Sequence, residues 1–299
     1  MQVPNGQLLS SVEIPIPQNV IASAKRQYKG VDLERFLAMK LYDITYSSDG
    51  LKIKGFLALP PLYEEKLPAI QFNRGGSGSK GALTLEGVFV ILGMYVSWGY
   101  VAIASQYRGQ GGSEGIEEWG AGDTNDAKNL TTLLLSLPYV DTDRIGLIAG
   151  SRGGMMAFQM LRWMKVFRAA VTFGAPTMLH ILSQREYIIQ TFIPFLEKEV
   201  SIEQALEERS AVVWASEMCK TTPLLVLHGT GDRKVHPSHA LELSKVLLDT
   251  LHPHKLILFE NADHVLAGRR AESNIEIRNW IDRYVKDKSK LPIVGPHGN

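Results

Sequence analysis

Apolar positions change period twice along the chain. Tyr42–Tyr46 and Leu51–Leu59 alternate apolar and polar residues around Ser48-Asp49-Gly50, which predicts two strands joined by a tight turn, a hairpin. Beyond it the apolar residues come in short unbroken runs at Ala69–Phe72, Val101–Ser105, Ile145–Ala149, Ala169–Phe173, Leu224–Leu227 and Leu256–Phe259. Runs without alternation suit strands covered on both faces. Between them lie segments of helix length: Leu83–Ser97, Thr124–Ser136, Gly153–Met164, His239–Thr250 and Arg270–Val285. Strand and helix in alternation predict an α/β fold built on a mostly parallel, doubly wound sheet behind an N-terminal antiparallel hairpin. Residues 177–220 break the rhythm, with no strand-like run and with Pro194 inside a helix-rich stretch. They are expected to form a helical insertion over one edge of the sheet. Residues 1–40 read as a leader with one amphipathic helix around Leu33–Met39, ahead of one domain over 41–299.

One stretch imitates a membrane span: from Gly87 to Tyr107 there is no Asp, Glu, Lys or Arg. Length alone would allow a crossing. Gly99 divides the stretch, leaving a buried helix before Trp98-Gly99-Tyr100 and a central strand after it. A membrane span is therefore not expected, and Met1 to Arg26, without a basic stretch followed by an apolar core, does not read as a signal peptide. Lys+Arg 32 against Asp+Glu 31 gives a net charge of +1, which removes the electrostatic motive for nucleic-acid binding. A single cysteine, Cys219, excludes an intrachain disulfide and offers no metal cluster, and it suits a reducing, cytoplasmic compartment. Hydrophobic residues at 45% and charged residues at 21% are ordinary for a globular protein.

In doubly wound sheets, ligands bind beyond the carboxyl ends of the strands. The strand at Ile145–Ala149 runs into Gly150-Ser151-Arg152-Gly153-Gly154 and then directly into a helix pattern. A serine at the apex of a strand–turn–helix junction, flanked by small residues, is the layout of a nucleophile elbow. The helix start also offers backbone N–H groups where an oxyanion would develop. Ala149 occupies the first glycine position of G-x-S-x-G, and by itself the motif reads equally well as a glycine-rich turn entering a helix. Two later strand ends change the balance. Leu224–Leu227 leads to His228-Gly229-Thr230-Gly231-Asp232, and Leu256–Phe259 leads to Glu260-Asn261-Ala262-Asp263-His264. Ser151, Asp232 and His264 thus follow three strands in the chain order nucleophile, acid, base. Asp263 is the rival carboxylate, while His236 and His239 rival His264. His228, at a strand end, reads as packed. Gly76-Ser77-Gly78-Ser79-Lys80-Gly81 fits G-x-G-x-x-G, but the next strand ends in Ser105-Gln106 without the acidic residue that would hold a ribose.

Together these pieces resemble the prolyl oligopeptidase family of the α/β-hydrolase superfamily. The resemblance is carried by Ile44-Thr45-Tyr46 with Ser48-Asp49-Gly50 and Ile53-Lys54-Gly55, Asn73-Arg74-Gly75-Gly76, Tyr107-Arg108-Gly109 with Gly111-Gly112-Ser113, Gly150-Ser151-Arg152-Gly153-Gly154, His228-Gly229 with Asp232, and Asp263-His264. It implies an α/β-hydrolase fold and a serine hydrolase without metal or cofactor, acting on a small peptide, amide or ester through an acyl-enzyme. Ser151 would be the nucleophile, His264 the general base and then acid, and Asp232 the group that orients His264. The oxyanion hole would use the amide of Arg152 and a second donor from Arg74-Gly75-Gly76, through the side chain or the amide of Arg74 or through Gly75. The residues do not separate a peptidase from a carboxylesterase or thioesterase, nor exclude a non-catalytic binding protein on the same frame. About forty residues precede the hydrolase domain, too few for the β-propeller of the large peptidases. Residues 177–220 are the candidate lid, with Ile181, Leu182, Ile188, Ile189, Phe192 and Phe195 facing an acyl pocket or packing on the sheet. Arg74, Arg108 and Arg152, all near strand ends, are candidates to receive an acidic substrate group.

Overall fold

The computed structural model describes residues 3–27, 32–61, 65–182 and 201–295. Its contacts gather into two compact units, Met1–Glu117 with Asn125–Gly146, and Glu118–Thr124 with Leu147–Asn299.

The first unit is built on β1 (Leu8–Ile14), β2 (Lys40–Ser48), β3 (Leu51–Leu59), β4 (Leu67–Asn73) and β5 (Val101–Ser105). The predicted hairpin is β2–β3, paired from Lys40↔Leu59 to Ser48↔Leu51. Asp49 and Gly50 both have positive φ, 51° and 80°, as a two-residue turn matched to strand twist requires. β3 continues antiparallel onto β5, and β5 lies parallel to β4. The leader holds more than its expected helix, for β1 pairs antiparallel with β2, slipping by one position between Leu8 and Ser10. Most of β1 is exposed, so no buried apolar stripe betrayed it in the sequence. Helices α1 (Gln18–Gln27) and α2 (Leu33–Leu37) follow.

After the one-turn α3 (Gly78–Gly81), α4 (Leu85–Ser97) starts at Thr84, whose Oγ1 accepts the amide of Gly87 at 3.1 Å. It is buried nearly all round, from Val88 to Ser97 apart from Ile91, with Phe36 of α2 edge-on to Phe89 at 4.9 Å between ring centroids. That burial explains its membrane-like composition. Gly99 turns the chain at φ 90° into β5, which is buried at every position. Among the described residues no helix is long and apolar enough to cross a membrane. The glycine-rich loop before α4 folds on its own unit: the Gly78 amide donates to Glu117 at 2.8 Å, and Arg74 donates to the carbonyls of Gly75, Gly81 and Gln106. The Arg74 guanidinium also lies over the Tyr107 ring, 4.7 Å from its centroid.

A buried charge network ties the hairpin turn to the chain after β5. Arg108 donates to Asp126 from its amide (2.7 Å), Nε (3.0 Å) and Nη2 (2.9 Å), and to Asp49 from Nη2 (2.8 Å). Ser48 Oγ donates to Asp126 at 2.6 Å. Asp126 belongs to α5 (Gly122–Ser136). The next strand, β6 (Val140–Gly150), is longer than its apolar run and ends in six consecutive buried residues.

The second unit takes the end of β6 and the parallel strands β7 (Phe167–Phe173), β8 (Leu224–Gly229) and β9 (His254–Phe259), with β8 between the other two. On these strands pack α6 (Arg152–Trp163), α9 (Ser238–Asp249) and α10 (Arg270–Ile281). β9 departs from the buried-strand expectation, since only Phe259 is fully buried in it. Between β7 and β8 the described part of the insertion is helical: a 3₁₀ turn at Leu179–Leu182, then α7 (Ile202–Glu208) and α8 (Ala211–Trp214). Arg209 clasps it to residues 118–120, donating to the carbonyls of Trp119 (2.9 Å), Glu118 (3.2 Å) and Ala205 (2.8 Å). Of the apolar residues expected in a lid, Ile181 is exposed, Leu182 ends the 3₁₀ turn, and Ile188, Ile189, Phe192 and Phe195 lie outside the described residues.

Candidate active site

Ser151 sits between β6 and α6 with φ 51° and ψ −125°, a conformation that costs a non-glycine residue on the order of 1–3 kcal/mol. The surroundings hold it there. Its amide donates to the Phe173 carbonyl at 2.9 Å, and its own carbonyl accepts the amides of Gly154 and Met155. The small flanking residues are explained by close approach: a Cβ on Gly150 would lie 2.4 Å from the Phe173 ring, and one on Gly154 2.5 Å from Cβ of Ala175. Arg152 opens α6, so its amide lies in the first turn, where helix N–H groups point outward.

His264 reaches Ser151 from the turn after β9. Its Nε2 is 2.9 Å from Ser151 Oγ, and its Nδ1 is 2.8 Å from Asp232 Oδ2. Asp232, in the turn after β8, has a side chain wholly removed from solvent, while that of His264 is 12% exposed. The carboxylate is richly supplied with donors. Oδ1 accepts the amides of Lys234 (2.8 Å) and Val235 (3.0 Å), and Oδ2 accepts from His264 and lies 3.2 Å from Nε2 of His228. Burial alone would raise the Asp232 pKa, but the hydrogen bonds from His228, His264 and the two amides outweigh it and hold the group far below the ordinary carboxylate range. Asp232 is therefore an anion at neutral pH. With Nδ1–H donated to that anion, Nε2 of His264 presents a lone pair to the serine hydroxyl. Such a chain can withdraw a proton from the hydroxyl and hold the resulting imidazolium beside a fixed negative charge.

The rival residues lie elsewhere. Asp263 accepts the amides of Val265 and Ala267, shaping the turn that carries His264. His236 is exposed and caps its own loop through Ser238. His239 is buried and accepts the amides of Thr177 (2.8 Å) and Met178 (3.2 Å) on Nδ1. Burial, followed by the neighbouring His228 and His236, pushes its pKa down to about 4. The sequence reading missed Gly174 (φ 56°), where a Cβ would meet the His264 carbonyl at 2.7 Å and Nδ1 at 3.2 Å. It also treated His228 as merely packed. The His228/Asp232 spacing of four across a glycine turn was the available signal, and only the folded turn shows that the two side chains meet. Arg74 and Arg108 donate to protein acceptors, and Arg152 is buried. Among the described residues no group of three His, Cys, Asp or Glu is placed to hold a metal ion.

An open, mixed and mostly parallel sheet with helices packed on its strands is the α/β-hydrolase fold, and similar solved structures share it. The model of the prolyl oligopeptidase family matches residues 89–288, well over half of the chain, and the chain belongs to that family. It is 28% identical over 257 residues to the uncharacterized peptidase YtmA of Bacillus subtilis, an alignment covering 84% of this chain and 95% of that protein. Similarity to the uncharacterized peptidase YuxL of the same organism, 26% over 262 residues, covers 81% of this chain but 39% of the relative. The solved acylaminoacyl peptidase of Pyrococcus horikoshii superposes with a TM-score of 0.72 at 21% identity, over 93% of this chain and 45% of that one. The chain thus spans nearly all of the first relative and less than half of the other two proteins.

Proposed function

We propose that this protein is a serine hydrolase of peptidase type that cleaves a peptide, amide or ester bond through an acyl-enzyme on Ser151. The observation that carries the reading is the unbroken chain from Ser151 Oγ through both nitrogens of His264 to Asp232, at 2.9 and 2.8 Å. In this mechanism His264 Nε2 takes the hydroxyl proton as Oγ attacks the carbonyl carbon, and the imidazolium then gives that proton to the departing amine or alcohol. Water repeats the attack on the acyl-enzyme, with His264 again the base and Ser151 the leaving group. Asp232 fixes the tautomer throughout and remains ionised. The amide of Arg152 is the proposed oxyanion donor from the second unit, worth on the order of a hundredfold to a thousandfold in rate.

The family and the peptidase names of the relatives support the hydrolase class. A fluorophosphonate should label the wild-type protein and leave Ser151→Ala unlabelled, and Ser151→Ala should lose on the order of a millionfold in turnover. Equal labelling of both proteins would reject Ser151. On the active protein, chromogenic aminoacyl anilides compared with esters fix the bond type; the peptidase reading expects anilide cleavage, and ester turnover alone would replace it with an esterase.

A further inference from the structure

Asp232 is held by two imidazoles, and the proposed mechanism uses only one of them. Nε2 of His228 lies 2.9 Å from the carbonyl of Val235 and 3.2 Å from Asp232 Oδ2. Both neighbours are acceptors, so that nitrogen carries the proton and donates to the two at once. Nδ1 of the same ring is buried and has no hydrogen-bond partner among the described residues. A proton there would be a buried donor with nothing to receive it, which again selects the Nε2–H tautomer. The ring is 1% exposed and lies at the end of β8, a rigid element.

We infer that His228 is a positioning residue for the site: through Nε2–H it locks the turn 232–235 and fixes the Asp232 carboxylate that orients His264. This rests on the function proposed above for Ser151, Asp232 and His264. One proton does two things here. By bridging the Asp232 carboxylate and the Val235 carbonyl, it closes the turn across its own ends, complementing the Lys234 and Val235 amides on Oδ1. By satisfying part of the charge on Oδ2, it also weakens the field that Asp232 exerts on His264. Loss of the donor leaves Oδ2 with His264 as its remaining hydrogen-bond donor, so the carboxylate is held at one point fewer. The other titratable groups around this pair are His239, which feels His228, His236, Asp232 and His180. His239 is neutral above about pH 4 and its Nδ1 is taken by two amides, so it does not replace the lost donor.

His228→Phe keeps a flat ring and removes the donor, whereas His228→Gln keeps an amide N–H near the same place. In His228→Phe the expected results are a fall in kcat of about ten- to a hundredfold, as for loss of a hydrogen bond to a charged group, with KM little changed. His228→Gln should stay within a few fold of wild type. A separate readout needs no turnover: the His264 Nδ1–H proton, held on Asp232, should change its NMR chemical shift in His228→Phe and keep the wild-type shift in His228→Gln. An unmoved His264 Nδ1–H resonance in folded His228→Phe would overturn the inference, as would a Gln variant displaced as far as Phe. If neither variant folds, the ¹⁵N shifts of His228 in the wild-type protein decide, since protonation on Nδ1 instead of Nε2 removes the proposed donor. Failure of the fluorophosphonate to label Ser151, together with the expected His264 displacement, would sink the hydrolase reading and leave the positioning role standing.

Discussion

At the scale of single residues, the site depends on atoms that are absent as much as on those present. Ser151 keeps its strained backbone because β6 and α6 approach β7 and the chain beyond it closely, and a Cβ on Gly154 of α6 would lie only 2.5 Å from Cβ of Ala175. Substituting Gly154→Val should push α6 away from Ala175. Overpacking of this sort typically costs about 1–3 kcal/mol, so the urea midpoint should fall, and fluorophosphonate labelling should slow by more than the stability loss explains. Normal labelling at an unchanged midpoint would show that the elbow tolerates the volume. Ser151, Asp232 and His264 could be singled out from the sequence because each follows an apolar run at a strand end. Gly174 could not, since its contact is with a loop distant in the chain.

At the scale of elements, the hairpin β2–β3 is joined to α5 by charge. Asp126 is fully buried and receives three donors from Arg108 and one from Ser48, while Asp49, at the hairpin tip, takes the remaining reach of Arg108. Asp126→Asn keeps the shape but places an amide where donors converge and leaves Arg108 short of a countercharge. Breaking such a buried pair costs about 3 kcal/mol or more, and equilibrium urea unfolding should show that loss; a change under about 1 kcal/mol would mean that Asp49 alone suffices. The elements themselves were largely visible in the sequence, to within a few residues at their ends, since unbroken apolar runs and turn residues record burial on two faces. β1 was not, because an exposed edge strand needs no apolar pattern to pair its backbone. Half-exposed β9 was found through its apolar run but misjudged as covered on both faces.

At the scale of the whole molecule, acid stability should follow two buried histidines. Burial pushes His239 and His252 down to about 4, whereas an unfolded imidazole titrates near 6.5. Between those values the unfolded chain binds protons that the folded chain refuses. Stability is therefore full above about pH 6.5 and falls as the pH drops towards 4, by up to about 3 kcal/mol for each ring. Asp232 works in the same direction at lower pH, because its depressed pKa adds stability above the ordinary carboxylate range that is lost on further acidification. His239→Asn, which can keep an acceptor for the amides of Thr177 and Met178, should flatten part of the slope between pH 7 and 4.5 in urea titrations. A slope identical to wild type would assign the acid sensitivity elsewhere.

The sequence by itself determined the alternation of strands and helices, the turn residues that punctuate it, and the three side chains that follow strand ends, because burial and backbone geometry leave local marks in residue type. Tertiary structure alone decided which of several histidines meets Ser151, that Asp232 and not Asp263 faces that ring, and that His228 shares the same carboxylate oxygen. Those choices rest on distances of about 3 Å, two between residues 32 and 113 positions apart and one across a folded turn of four. Spacing along a chain does not encode such distances until the strands are paired and the turns closed.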